Sequence, residues 1–294
     1  MTDKLSIPQI AELARSGGRL AMVTAYDASS ARLADAAGVD MILVGDSAAM
    51  AILGHESTLP VTMDEMLMLT RAVTRAVRRA VVVADLPFGA YQPGENDALR
   101  NAIRFVKDAG ADAVKLEGAG RTLTRISAIL DAGIPVMGHT GMTPQSASLA
   151  GGYKTRGRTA ADARLIFDEA RALERAGCFA VVLEAIAAPV AAHITRALQV
   201  PTIGIGAGGA CSGQVLVWHD LLGLSTGHVP RFVKRYADLN QTILDALTAY
   251  IAEVRSSAFP GESHTYAMPP DELARFEAQL GEMRTGRDVV KRSR

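Results

Sequence analysis

A chain of 294 residues that is 49% hydrophobic but only 5% aromatic can bury a large core of small and branched aliphatic side chains, which suits one α/β domain of roughly 250 residues with short additions. Lys plus Arg and Asp plus Glu both number 31, so the formal charge is zero and no global field draws in nucleic acid or an anionic membrane. Cys178 and Cys211 lack metal-ligand spacing and suit a reducing cytoplasm, Met1-Thr2-Asp3-Lys4 lacks the build of a signal peptide, and the longest uncharged stretch, 200–218, carries Pro201 and five glycines, reading as strand and loops rather than a membrane span.

In chain order, Ser6-Ile7-Pro8-Gln9-Ile10 opens a short helix that Gly17-Gly18 ends, placed to close the bottom of whatever follows. The strands are expected at Leu20 to Ala25, Met41 to Val44, Val81 to Ala84, Ala113 to Leu116, Pro135 to Gly138, Ala180 to Leu183, Pro201 to Ile205 and Val215 to Trp218. Helical patterns such as Met63 to Arg79, Asp97 to Ala109 and Ala160 to Ala176 lie between them, charged on one face and aliphatic on the other. Eight strands alternating with helices predict a parallel sheet closed into a TIM (β/α)8 barrel. Asp238 to Val254 reads as a further helix ended by Pro260-Gly261. The organisation expected is therefore a single catalytic barrel over 1–266 and a tail over 267–294, in which Leu273, Phe276 and Leu280 fall at helical spacing ahead of Arg284, Arg287, Lys291, Arg292 and Arg294. A docked helix with a frayed basic end is favoured over a nucleic-acid contact.

Three stretches share one design, Ala-Gly, an apolar run, then an acid: Ala37-Gly38 to Asp46, Ala109-Gly110 to Glu117 and Ala176-Gly177 to Glu184. The acid stands 8, 7 and 7 residues past the glycine, where a strand begun after a helix-ending Gly reaches its C-terminal end. Asp85 ends another apolar run, so four acids decorate the barrel edge that carries active sites, although any one of them alone is as well explained as a helix cap or ion pair. Side chains alternate along a strand, so Lys115 points the same way as Glu117 and sits one layer down inside the barrel, where an ammonium needs a carboxylate or an anionic ligand. Acids converging on one mouth repel unless protonated or neutralised, and an all-oxygen set suits Mg²⁺.

Gly204-Ile205-Gly206-Ala207-Gly208-Gly209 fits the dinucleotide pattern G-x-G-x-x-G, but its place seventh in the series favours a phosphate-cradling or merely tight barrel loop. His139 alone among six histidines ends a predicted strand and reads as a supporting donor or a polar contact in the mouth; His55, His193, His219, His228 and His264 read as structural.

Nine collinear motifs from about Leu20 to Tyr266 then resemble the ketopantoate hydroxymethyltransferase family: Thr24-Ala25-Tyr26-Asp27, Val44-Gly45-Asp46-Ser47, Gly54-His55-Glu56-Ser57-Thr58-Leu59-Pro60-Val61-Thr62, Ala84-Asp85-Leu86-Pro87-Phe88, Val114-Lys115-Leu116-Glu117-Gly118, Gly138-His139-Thr140-Gly141-Met142-Thr143-Pro144-Gln145, Gly151-Gly152-Tyr153-Lys154, Leu183-Glu184 and Ile203-Gly204-Ile205-Gly206-Ala207-Gly208. Ala48-Ala49 and Thr140 depart from the family's usual residues, and the tail after Tyr266 has no family counterpart. The resemblance implies a first committed enzyme of pantothenate synthesis that uses 5,10-methylenetetrahydrofolate as co-substrate and is a homo-oligomer, typically a decamer. It further implies Mg²⁺ on Asp46 and Asp85 with Glu117 close by in its shell, a 2-oxo acid bound by Asp46, Ser47, Asp85 and Lys115, and Glu184 as general base. Three rivals are set beside it. A Mg²⁺-dependent C–C lyase or mutase of the isocitrate lyase and phosphoenolpyruvate mutase type would use a catalytic Cys or a phosphate-binding set in a mobile loop, and the absence of Cys from the strand-end motifs counts against a lyase; a nucleotide-binding oxidoreductase rests on the glycines alone; a non-catalytic barrel leaves the mouth acids and Lys115 without a purpose.

Overall fold

A computed structural model describes residues 4–147, 152, 154–225, 227 and 229–291, with the side chains of 282–291 outside that description. Strands β1 (Leu20–Thr24), β2 (Met41–Val44), β3 (Val81–Asp85), β4 (Ala113–Glu117), β5 (Val136–Gly141), β6 (Ala180–Glu184), β7 (Thr202–Ile205) and β8 (Gly213–Leu216) close in sequence order into a parallel barrel. The helices are α1 (Ile7–Arg15), α2 (Ala28–Ala36), α3 (Ala48–Ala51), α4 (Met63–Thr74), α5 (Glu95–Lys107), α6 (Thr122–Asp131), α7 (Ala160–Arg175), α8 (Ala188–Ala197), α9 (Trp218–Leu221), α10 (Leu239–Arg255) and α11 (Pro270–Lys291). This is the TIM barrel expected from the alternation of apolar runs and amphipathic helices.

Strand alternation builds the interior. Met41 and Leu43, Val81 and Val83, Ala113, Met137, and Ala180 and Val182 pack together inside the barrel, while Ile42, Val44, Val82, Val114 and Val181 belong to the layer under the helices. One step further along the inward rows stand Asp85, Lys115, Glu117, His139 and Glu184, so the same row that is apolar at the bottom becomes ionisable at the top. At the bottom, α1 is started by a capping box in which Ser6 Oγ accepts from the Gln9 N–H and Gln9 Oε1 accepts from the Ser6 N–H. Its Ile10 is fully buried in the interior cluster, which is how α1 closes that end.

Four local expectations change. Helix α4 stops at Thr74 rather than Arg79, because the N–H groups of Arg78, Arg79 and Ala80 all go to the Asp35 carboxylate and are lost to a helical ladder. Strand β5 runs past Gly138 to Gly141, since β4 and β6 offer partners to His139 and Gly141 on either side. No helix separates β7 from β8: Gly206 (φ +66°) and Gly208 (φ +80°) turn the chain directly into β8. Strand β8 also starts earlier and ends at Leu216, so Trp218 opens α9.

The described chain divides into two compact units, Met1–Leu239 and Asn240–Arg294. In the second, α10 leaves Ile243, Leu247, Tyr250 and Val254 exposed, and α11 carries the helical spacing of Leu273, Phe276 and Leu280. Arg292 and Arg294 of the basic end lie outside the described residues, as do Gly151, Tyr153 and His228, and so do the side chains of Arg284, Arg287 and Lys291. Among the described residues no helix is long and apolar enough to cross a membrane.

Candidate active site at the barrel mouth

Strand register brings the acids together. Asp85 lies level with Lys115, Glu117 with His139, and Gly141 with Glu184 across three successive ladders. Lys115 Nζ is 2.9 Å from Asp85 Oδ1, both side chains about 5% exposed, so the buried ammonium has the carboxylate it requires. Asp46 follows β2, and its backbone N–H donates to Asp85 Oδ2 at 3.1 Å. Ser47, at the start of α3, shares a 2.8 Å hydrogen bond with the Tyr26 hydroxyl. His139, 1% exposed, sits with Nδ1 3.5 Å from Lys115 Nζ and 3.6 Å from Glu117 Oε1. Its Nε2 is 3.3 Å from Glu184 Oε2, an ion-pair distance without hydrogen-bond alignment. All these groups except Tyr26 line one cavity.

The backbone around Glu184 is held tightly. A Cβ on Gly141 (φ +101°) would run into the Glu184 carbonyl, so only glycine lets β5 approach there. Ala185 takes the left-handed conformation (φ +47°), its N–H donating to the Ile205 carbonyl and its carbonyl accepting from the Arg156 N–H, each at 2.8 Å.

Burial, then repulsion by Asp85 and Glu117, pushes the Asp46 carboxyl well above the usual range, and burial likewise raises Asp85 in spite of the Lys115 ammonium. For Lys115, burial works against the charge, but Asp85, Glu117 and Asp46 outweigh it and its pKa rises. His139 is pushed up to about 9: burial and Lys115 oppose its charge, and contacts with Glu117 and Glu184 overcome them. Lysine and imidazolium thus partly neutralise the acids.

The structure brings together every residue singled out in the sequence as a site candidate: Asp46, Ser47, Asp85, Lys115, Glu117, His139 and Glu184. It also shows what the sequence reading passed over. Gln145, in a 3-10 turn after β5, donates through Nε2 to Asp46 Oδ2 at 2.9 Å and to the Leu86 carbonyl at 3.0 Å, and through its backbone N–H to Glu117 Oε2 at 3.0 Å. Its own Oε1 accepts from the Tyr91 hydroxyl at 2.7 Å. The signal was a single Gln after Thr143-Pro144, too common to read alone. Neither Cys178 nor Cys211 lines the cavity, and the loop after β7 leads to a strand, leaving the glycine pattern without the helix N-terminus a dinucleotide needs.

Among the described residues no three His, Cys, Asp or Glu side chains form a ready metal cage, and protein donors reach the acids: Lys115 pairs with Asp85, and Gln145 donates to Asp46 and Glu117. A full cage is not what Mg²⁺ uses; one or two carboxylates with water and substrate oxygens complete its octahedron. Two adjacent buried carboxylates with raised pKa values fit that demand.

A family model described as ketopantoate hydroxymethyltransferase matches residues 4–262. A protein of Oleidesulfovibrio alaskensis named 3-methyl-2-oxobutanoate hydroxymethyltransferase is 54% identical over 267 residues, covering 91% of this chain and 92% of that one. One of the same name from Carboxydothermus hydrogenoformans is 49% identical over 274 residues, covering 93% and 99%. Among solved structures, a 2,3-dimethylmalate lyase of the PEP mutase/isocitrate lyase superfamily superposes with a TM-score of 0.56 at 17% identity, over 97% of this chain and 99% of that one, a likeness of fold. On the length and identity of these matches, the chain belongs to the ketopantoate hydroxymethyltransferase family.

Proposed function

We propose that this chain transfers a hydroxymethyl group from 5,10-methylenetetrahydrofolate to 3-methyl-2-oxobutanoate, consuming a water molecule and forming 2-dehydropantoate and tetrahydrofolate. One observation carries the reading: three buried acids and a buried lysine share a cavity with Glu184 at its edge, in a chain about half identical to relatives named for this reaction. Lys115 and Ser47, the latter held by Tyr26, bind the oxo-acid carboxylate. Asp46 and Asp85 would hold Mg²⁺, with Glu117 beside them in the same cavity. When bound, the cation stabilises negative charge that develops on the keto oxygen. Glu184 accepts the proton from C3, and His139 beside it orients the carboxylate. The C3 carbon of the resulting enolate forms the new bond to the one-carbon unit of the folate; both C–N bonds of the methylene break, the water oxygen becomes the hydroxyl, and the proton taken from C3 and one from water go to the two nitrogens of tetrahydrofolate. A homo-oligomer in the cytoplasm completes the proposal, and sedimentation of the purified chain tests the assembly.

Proton abstraction can be isolated from transfer. With Mg²⁺ and oxo acid but no folate, the wild-type protein is expected to exchange the C3 proton for solvent deuterium, and Glu184→Gln is expected to bind the acid without exchanging it. Exchange by the variant at the wild-type rate would remove Glu184 from that step.

A further inference from the structure

Five buried side-chain atoms lack a hydrogen-bond partner among the described residues: Thr58 Oγ1, Asp85 Oδ1, His139 Nε2, Arg171 Nε and His219 Nδ1. Three of them have an ionic partner within 3.6 Å: Asp85 with Lys115, His139 with Glu184, and Arg171 with Glu174. His219 stacks beside Tyr26 and does not line the cavity. Thr58 is different. It is 4% exposed, it lines the cavity with Asp46, Asp85, Lys115 and Glu117, and its hydroxyl has no hydrogen-bond partner among the described residues. A buried hydroxyl left unmatched destabilises the fold, so its partner is to be sought in what the cavity binds.

The chemistry of the cavity says which kind of partner. A 2-oxo acid offers acceptors alone, two carboxylate oxygens and a keto oxygen, and therefore needs donors. The four acids of the cavity have none to give when ionised. Ser47 shares a hydrogen bond with Tyr26 that leaves its own proton free when the tyrosine donates, and Thr24 Oγ1 accepts from the Trp218 N–H. Thr58 carries the one hydroxyl of the cavity with no hydrogen-bond partner at all among the described residues, and it would serve the acid beside Lys115 and Ser47. We infer that Thr58 is a further substrate-contacting residue, whose hydroxyl donates a hydrogen bond to an oxygen of the bound 2-oxo acid. The inference rests on the proposed function, since it takes the oxo acid as the ligand of this cavity.

It makes an unusual pair of expectations for Thr58→Val, which keeps the shape and removes the hydroxyl. In the unliganded protein the variant should be as stable as wild type or more so, with Tm higher by up to about 4 °C, because an unmatched polar group has been taken out of the interior. Calorimetric titration of 3-methyl-2-oxobutanoate in the presence of MgCl₂ should at the same time show Kd raised by about tenfold to a hundredfold, with KM rising in step and kcat little changed. Thr58→Ser, which restores the hydroxyl, should bind the acid within about threefold of wild type, the allowance for one lost methyl contact. A lowered Tm with unchanged Kd would mean that the hydroxyl serves the fold, and would overturn the inference. So would weaker binding of Mg²⁺ alone in Thr58→Val, which would assign the hydroxyl to the water shell of the cation. If wild type itself failed to bind the oxo acid, the functional reading would fall and this inference with it; normal wild-type binding with an unaffected Thr58→Val would remove only the role of Thr58.

Discussion

Asp35 and Asp46 lie on either side of β2, at opposite ends of the barrel, and their surroundings push them in opposite directions. At the bottom, burial works against the Asp35 carboxylate, but N–H groups of Ala80, Arg78 and Arg79 overcome it and lower its pKa. At the mouth, burial and the neighbouring Asp85 and Glu117 raise that of Asp46. Other bottom charges are answered in the same way: Lys4 pairs with Asp112 and donates to the Ala80 carbonyl, and Arg79 pairs with Asp40 while donating to the Val39 carbonyl. The mouth keeps raised carboxyls and an unmatched Thr58. One end of the barrel uses its ionised groups to tie chain segments together; the other leaves demand for a ligand to meet.

The largest test of that contrast is Glu184→Gln, which should lower kcat by about 10² to 10⁴ with little loss of stability, since the carboxylate is half-buried and its 3.3 Å contact with His139 lacks hydrogen-bond alignment. Steady-state kinetics beside a thermal melt would decide; equal losses in both would make Glu184 structural.

Next comes Asp46→Asn. Activity should fall at least about a hundredfold, and its dependence on Mg²⁺ should weaken. The metal-free protein should nevertheless melt higher than wild type. A carboxyl whose folded pKa is raised is favoured at low pH, so its contribution worsens as pH climbs from the ordinary value of about 3.8 through the raised one. Melts in EDTA across that window should show the wild type falling relative to Asp46→Asn, and a variant less stable than wild type at neutral pH would refute the raised pKa.

At the other end, Asp35→Asn should reverse the signs. Both carboxylate oxygens of Asp35 accept backbone N–H groups, and an amide would turn its NH₂ against one set of donors, costing about 2 kcal/mol of stability while activity per folded molecule stays unchanged. Denaturant unfolding measures the first and kinetics the second.

The smallest effect is in pH. The Asp35 pKa is depressed, so its stabilisation is complete above the ordinary value of about 3.8 and is lost as pH falls through the lower folded one. The stability gap between wild type and Asp35→Asn should therefore narrow on acidification below about 4, and a gap independent of pH would show that geometry, and not charge, makes the difference.

Much of this was legible along the chain because the causes are local. Gly38, Gly110 and Gly177 all have positive φ and end their helices where the spacing placed them, so the acid seven or eight residues on reaches the mouth by strand length alone. Alternation was enough to put Lys115 inside the barrel with Glu117. What stayed hidden depends on residues distant in sequence. Helix α4 stops short because Asp35 takes the N–H groups that would prolong it. Gln145 holds Asp46 across 99 positions and the Leu86 carbonyl across 59, and Tyr91 reaches Gln145 across 54. The sequence by itself determined the order of strands, the row each side chain occupies and hence which acids face inward, since helix termination and the two-residue strand period act over a few bonds. Tertiary structure alone decided which of those acids are already satisfied and which wait for a partner, because hydrogen-bond satisfaction is a matter of atoms within 3.5 Å, and closing the barrel is what brings the Asp46, Tyr91 and Gln145 loops within that distance.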